Sequence, residues 1–159
     1  MTTERLADAI AAEEGLRLIA YPDPLSGGAP FTIGYGHTGP EVKPGLSWTL
    51  DQAQRALKLD IAAACRGLDR LVPWWRDLDD VRQDALAQMS FQLGAAGVLA
   101  FRRTLTALRD DDFSGAAASL GQSLWARQTP ARAGRVAALV RTGAYPTPFP
   151  PANQGEQRP

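Results

Sequence analysis

Glu14-Gly15-Leu16-Arg17-Leu18-Ile19-Ala20-Tyr21-Pro22-Asp23, then a Gly/Pro-rich run, then Phe31-Thr32-Ile33-Gly34-Tyr35-Gly36-His37, is the stretch that decides the fold. Two carboxylates, Glu14 and Asp23, lie nine positions apart, and Thr32 follows nine further on. Just before it, residues 3–14 read as a helix. Leu6, Ile10 and Glu14 are spaced i, i+4, i+8 and share one face, so Glu14 ends an apolar stripe. Gly15 then stops the helix. Residues 16–21 and 31–36 read as strands. The segment between them carries three prolines and two glycines, which is turn chemistry. A hairpin or small three-stranded sheet is expected. Period-2 alternation puts Phe31, Ile33 and Tyr35 on one side and Thr32, Gly34 and Gly36 on the other. The Thr32 face is then nearly bare of side chains, and bare strand faces mark places where a ligand approaches the backbone.

These residues have the parts for glycoside hydrolysis. That chemistry uses two carboxyl groups in unlike environments, one protonated and one ionised. Glu14, at the edge of an apolar stripe, suits the acid, because burial raises a carboxyl pKa. Asp23, between two prolines at a turn tip, suits the anion. The Thr32 hydroxyl can donate and accept, and so can help hold an attacking water. Spacing alone does not decide the matter, since a lone Glu and Asp are ordinarily two solvated surface charges. The glycine-bare face is what favours a cleft.

Outward from this stretch, residues 38–48 read as a loop. Thr49-Leu50-Asp51-Gln52 is a capping-box pattern that opens a helix over 50–71, about 33 Å long. Leu57, Ile61, Ala64, Leu68 and Leu71 form its stripe, and Pro73 marks its end. Such a helix suits a strut between two lobes. From 74 onward the pattern is helical. Leu78 to Leu93 form one amphipathic helix ended by Gly94. Residues 99–109 and 114–124 form two more, with Ser114 as the expected N-cap. Thr129-Pro130 starts a last helix that ends at Gly143. The proline-rich tail, 146–159, is expected to be flexible, with little fixed structure beyond about 150.

Composition narrows the function classes. The 159 residues carry 17 basic and 17 acidic side chains, a formal net charge of zero. That argues against a nucleic-acid partner, which calls for a basic excess. Cys65 is the single cysteine, so no intramolecular disulfide can form, and it reads as a small buried hydrophobe. One His and one Cys do not make a zinc cluster, so neither metal nor cofactor is expected. No signal peptide and no membrane-spanning run is visible. The chain is expected to be made in the cytoplasm and, if its substrate lies outside, to be released by something else.

The motifs resemble those of a known family. Glu14-Gly15-Leu16-Arg17-Leu18, Tyr21-x-Asp23 and Thr32-Ile33-Gly34-Tyr35-Gly36-His37 look like the catalytic signature of phage lysozymes of glycoside hydrolase family 24, the T-even phage lysozyme type. The likeness continues through Leu78-Asp79-Asp80-Val81-Arg82, Ala85-Leu86, Met89 to Gly94, Gly97-Val98, Phe101, Trp125, Gln128-Thr129-Pro130 with Arg132, Arg135-Val136 and Arg141-Thr142-Gly143. It covers roughly residues 5–145 in the family's order. The resemblance implies an α+β, lysozyme-like fold in a single domain over 1–145. A small N-terminal lobe (about 13–60) with a short antiparallel sheet would be joined by the long helix to an all-helical lobe (72–145, plus the helix at 3–14).

The resemblance also implies an activity, that of a peptidoglycan muramidase. It would hydrolyse the β-1,4 bond between N-acetylmuramic acid and N-acetylglucosamine, with inversion, as a phage or prophage endolysin in host cell lysis. Glu14 would be the general acid, Asp23 the carboxylate that acts with water, and Thr32 its partner. Phe91, Gln92, Thr104 and Ser119, with Thr38, would hold the glycan, and Arg132 would lie near Glu14 and tune its protonation. His37 would pair with Asp60 and stabilise the lobe. Expected partners are peptidoglycan glycan strands and a holin-type membrane permeabiliser, for a monomer acting in the periplasm after release. The sequence departs from the family in a longer Asp23–Thr32 loop containing Ser26-Gly27-Gly28-Ala29-Pro30. It also carries Ser119 and Thr104 where the T-even type has an amide and a serine. Two other classes stay open: a catalytically silent peptidoglycan-binding protein, and a different glycan enzyme such as a lytic transglycosylase or chitinase.

Overall fold

A computed structural model describes residues 4–149. Seven α-helices and a three-stranded antiparallel sheet build the described residues, in the order α1 (Arg5–Glu14), β1 (Arg17–Tyr21), β2 (Thr32–Gly34), β3 (His37–Thr38), α2 (Leu50–Leu71), α3 (Asp80–Val98), α4 (Arg102–Arg109), α5 (Phe113–Gly121), α6 (Leu124–Gln128) and α7 (Pro130–Thr142). A 3-10 turn at Pro73–Asp77 precedes α3. This is the expected α+β, lysozyme-like architecture, mostly helical with a small sheet near the N-terminus. The described residues divide into two compact units: Ala7–Ala62, and Ala63–Phe149 with residues 4–6. The divisions fall inside α1 and α2.

The first unit is built on a meander with strand order β1-β2-β3. Ile10, Ala11, Leu16, Ile33, Tyr35, Val42, Ala53 and Leu57 are buried in it. The predicted strand over 31–36 is shorter than its alternation implied. It ends at Gly34, and Tyr35-Gly36 turn the chain into β3. The supposed bare face therefore does not run on to Gly36, and Gly34 is not open to a ligand. A Cβ at Gly34 would sit 3.1 Å from the Trp48 ring. The expected 38–48 loop is also partly ordered by pairing. Ala20 N–H donates to Leu46 O and Trp48 N–H to Leu18 O, which adds the loop's end to the free edge of β1.

Helix α2 has the predicted limits. The Thr49 hydroxyl accepts from Gln52 N–H at 3.2 Å, and the Gln52 side chain accepts from Thr49 N–H at 2.8 Å, a reciprocal capping box. Of its predicted stripe, Leu57 and Leu68 are buried, whereas Leu71 is exposed.

In the second unit the helices surround Leu68, Val72, Trp75, Leu86, Met89, Leu108, Leu120, Trp125 and Val136, all buried. Cys65 is buried as well, and burial pushes its thiol pKa up. Trp75 is packed fully inside this unit. It is 0% exposed, its indole donates to Asp69 at 2.8 Å, and Arg76 stacks on its ring.

The helix from 80 is broken where Gly94 predicts it. Gly94 adopts φ 73°, ψ 154°, which only glycine takes at little cost, and a last helical turn follows. The cap expected at Ser114 is instead Asp112, whose carboxylate accepts from Gly115 N–H at 2.8 Å. The expected 114–124 helix is in fact two. Ser123 caps α6 by accepting from Ala126 N–H, and its hydroxyl donates to Leu120 O. Thr129 precedes Pro130 as predicted, but its hydroxyl donates back to Trp125 O instead of capping α7.

The segment leading to the tail is packed as far as it is described. Tyr145 OH donates to buried Asp84 at 2.8 Å, Phe149 sits edge-on to Tyr145, and Arg5 faces both rings. The expectation of a flexible tail over 150–159 lies outside the described residues.

Candidate active site

Glu14 is the last residue of α1 and is half-buried. Gly15 N–H closes the helix on Ala11 O at 3.1 Å. The Glu14 carboxylate lies against the β2–β3 turn. A Cβ at Gly36 would be 3.4 Å from Glu14 Oε2 and 3.8 Å from its Cδ. Gly36 is exposed with φ +85°, a conformation in which a side chain is strained and here would also crowd the acid. The glycine-rich motif thus does bring backbone close to something, and that something is the protein's own carboxylate.

Asp23 organises its loop. Its Oδ1 accepts from Leu25 N–H and Ser26 N–H, each at 2.8 Å. Its backbone N–H donates to Gly28 O, and its carbonyl accepts from Gly27 N–H. The extra residues of the long loop are therefore wrapped around Asp23. The Ser26 N–H first, and then that of Leu25, hold its carboxyl below the usual range, so it is an anion at neutral pH.

Thr32 pairs in register with Tyr21 on one side and Thr38 on the other. Cross-strand partners point to the same face, so Tyr21, Thr32 and Thr38 form one row across the sheet. Arg17 stacks over the Tyr21 ring at 4.7 Å. The Thr32 hydroxyl makes no hydrogen bond to another described side chain or backbone group. Glu14, Asp23, Thr32 and Thr38 accordingly share one unit, with Glu14 beside the β2–β3 turn and Asp23 beyond the Tyr21–Thr32 end of the β1–β2 pair.

His37 follows Gly36 and is held from both sides. Its Nδ1 lies 2.8 Å from Asp60 Oδ2, as expected, and its Nε2 lies 2.7 Å from Glu41 Oε1. Burial pulls the His37 pKa down, but the hydrogen bonds to Glu41 and Asp60 outweigh it, and the net direction is upward. The His37 bond in turn lowers the Glu41 carboxyl. A ring between two carboxylates donates from both nitrogens as the imidazolium, which is why the two bonds favour its charged form.

The remaining predicted residues belong to the helical unit. Phe91 and Gln92 lie on α3, half-buried, and Gln92 Oε1 accepts from the Trp125 indole at 3.1 Å. Arg132 is half-buried in the first turn of α7. Thr104 is only 1% exposed, and its hydroxyl donates to Ser119 Oγ at 3.2 Å. These two hydroxyls sit in the lining of a pocket of about 450 Å³ formed by residues 100–104, 119 and 122–125. Among the described residues no cluster of three or more His, Cys, Asp or Glu could hold a metal. None of their helices is long and apolar enough to cross a membrane.

A family described as phage lysozyme matches residues 11–142. The chain belongs to the phage lysozyme family. Its relatives include the pre-baseplate central spike protein Gp5 of Enterobacteria phage T4, 33% identical over an alignment covering 87% of this chain and 28% of that protein. Probable T4-type lysozymes 1 and 2 of Dictyostelium discoideum are 29% and 31% identical, over 60% and 65% of this chain and 58% and 59% of their own. The chain spans between about a quarter and three-fifths of the length of these relatives.

Within this chain, sequence reasoning missed Glu41 as the second partner of His37. The i, i+4 spacing inside a turn-rich loop was the available signal. It also missed the Arg17–Tyr21 stack, which the i, i+4 spacing along a strand allows, and the two arginines of the helical pocket.

Proposed function

We propose that this phage lysozyme is a peptidoglycan muramidase that hydrolyses the β-1,4 bond between N-acetylmuramic acid and N-acetylglucosamine. The observation that carries the reading is the Glu14 carboxylate set against Gly36, in the same unit as an anionic Asp23 and the Thr32–Thr38 row. Glu14 protonates the departing glycosidic oxygen. Asp23 stays ionised, because two backbone N–H groups favour its charged form. Its Oδ1 takes those two bonds, which leaves Oδ2 for a water, and the Thr32 hydroxyl is the second hold on that water. Attack from the face opposite the leaving group inverts the anomeric centre and calls for a carboxyl separation of about 6.5–9.5 Å. Thr38 extends the glycan contact along the sheet. Phe91, Gln92, Thr104, Ser119 and Arg132 contribute from the helical unit.

The enzyme acts as a monomer and an endolysin, made in the host cytoplasm and reaching the wall through a holin-type membrane permeabiliser. One relative is named as a spike protein of the phage baseplate. That favours a second setting for the same chemistry, as a wall-cutting part of the virion. Detection of this chain in purified particles would support the second setting, and its absence from them the first.

The deciding experiment is clearance of wall turbidity by the wild type and Glu14→Gln, with product analysis. The wild type is expected to clear the wall and release reducing ends of inverted configuration. Glu14→Gln is expected to lose activity roughly 10³-fold. Clearance by Glu14→Gln, or anhydro ends in the product, would overturn the assignment.

A further inference from the structure

The loop between β1 and β2 is where this chain departs from the family motif, and it holds a closed ring of hydrogen bonds around Asp23. Its residues are Asp23-Pro24-Leu25-Ser26-Gly27-Gly28-Ala29-Pro30-Phe31. The Asp23 N–H donates to Gly28 O at 3.0 Å. The Gly28 N–H donates to the Ser26 hydroxyl oxygen at 3.2 Å. The Ser26 N–H donates to Asp23 Oδ1 at 2.8 Å, which returns the ring to its start. The Ser26 hydroxyl also donates to Ala29 O at 3.3 Å, so its oxygen and its proton both grip the far limb of the loop. Two further N–H groups reach Asp23 from inside the loop, Leu25 to Oδ1 and Gly27 to the carbonyl, each at 2.8 Å.

In this ring the side-chain links are the Asp23 carboxylate and the Ser26 hydroxyl, and the rest is backbone. A run with two adjacent glycines has wide conformational freedom, so a link across it is what selects one conformation. The Asp23 carboxyl feels the result. The Ser26 N–H is the largest cause of its lowered pKa, and the Leu25 N–H is the next. Burial opposes them, the Ser26 hydroxyl adds a smaller share, and no charged side chain contributes. We propose that Ser26 is a positioning residue for the hydrolysis: its hydroxyl clasps the loop so that two N–H groups hold Asp23 Oδ1 and leave Oδ2 for the attacking water. Ser26 acts through Asp23 and needs no contact with the glycan. The proposal rests on the muramidase reading for the role of Asp23. The added length of the loop then serves the site, because Ser26 to Ala29 supply both ends of the clasp.

The test compares the full chain with Ser26→Ala, which opens the ring, and Ser26→Thr, which keeps the hydroxyl. Release of reducing ends from peptidoglycan is read across pH, and the Asp23 carboxyl is titrated by carboxyl-carbon NMR. Ser26 is exposed and its bonds are local, so thermal unfolding is expected to stay unchanged in both variants. In Ser26→Ala, kcat is expected to fall about tenfold with KM unchanged, because the water and not the glycan loses its hold. The acid limb of kcat/KM is expected to move to higher pH, together with the Asp23 titration, because the anion has lost support. Ser26→Thr is expected to restore kcat, the acid limb and the titration. Wild-type kcat in Ser26→Ala, a fall in kcat with an unmoved Asp23 titration, or an equal fall in Ser26→Thr overturns the proposal. Failure of the wild type to cleave peptidoglycan would instead overturn the muramidase reading, and the NMR titration would still judge the clasp.

Discussion

Between Glu14 and Thr38 the side chains of interest come from one short run of sequence, whereas around the helical pocket they come from α4, α5, α6 and the turns that join them. The first region is held by backbone. Asp23 is fixed by the N–H groups of its own loop, Glu14 rests against a glycine, and Thr32 sits in a three-residue strand. The second is held by side-chain burial. Thr104 and Trp125 are buried in the same unit as Leu108, Leu120 and Val136. A site built on backbone can be damaged chemically with the fold intact. A site built on a core fails together with that core.

This contrast can be broken in four ways. The largest effect should come from Asp23→Ala. Turnover on wall material should fall roughly 10³-fold while the unfolding midpoint moves little, since the side chain is partly exposed and its bonds are local. Retained activity would point to a transglycosylase, which needs no water-directing carboxylate. Trp75→Ala is the converse. Removing a side chain of 0% exposure should cost about 3 kcal/mol in chemical denaturation, with kcat unchanged per folded molecule. Gly36→Ala joins the two kinds of damage. The φ of +85° should cost about 2 kcal/mol of stability, and the added methyl should hinder Glu14, so both calorimetry and turnover should respond.

The smallest effect concerns His37. Its pKa is raised in the folded protein, so the stability it contributes is fully present below its unfolded value of 6.5 and fades as pH rises through the folded value. Glu41 is lowered, so its share is present above 4.5 and fades as pH falls through its folded value. Asp60→Asn should therefore destabilise by about 1 kcal/mol near pH 5.5 and by little near pH 9, with activity largely kept. Glu41→Gln should do the same more weakly, being the more exposed partner. A large fall in turnover at unchanged stability would show that His37 serves the chemistry directly.

Much of this was legible in the chain, because the informative features are local. The capping box at Thr49 and Gln52 sets the start of α2, and Gly94 and Gly143 sit at helix breaks. Family motifs in order, from Glu14 to Gly143, carried the identity that spacing alone could not. Local rules failed where two short-range options competed. Asp112 and Ser114 are both good caps, and only the packing of α5 against its neighbours selects between them. Ser123 looked like a helix interior residue because the apolar pattern runs through it, yet its hydroxyl closes one helix and opens the next. Alternation through Gly36 failed because two glycines let the strand turn after Gly34.

The sequence by itself placed Glu14 at a helix end, Asp23 in a turn and Thr32 in a strand, and it set the order of helices, since each rests on contacts within a few residues. Only the tertiary structure decided what those residues meet. It set Gly36 against Glu14, Glu41 against His37, and two unpaired arginines beside the Thr104–Ser119 pair. These meetings depend on how distant turns close, and no spacing rule reaches that far. The local elements from Glu14 to His37 were therefore readable in the sequence, while the helical pocket became readable only when α4, α5 and α6 were brought together.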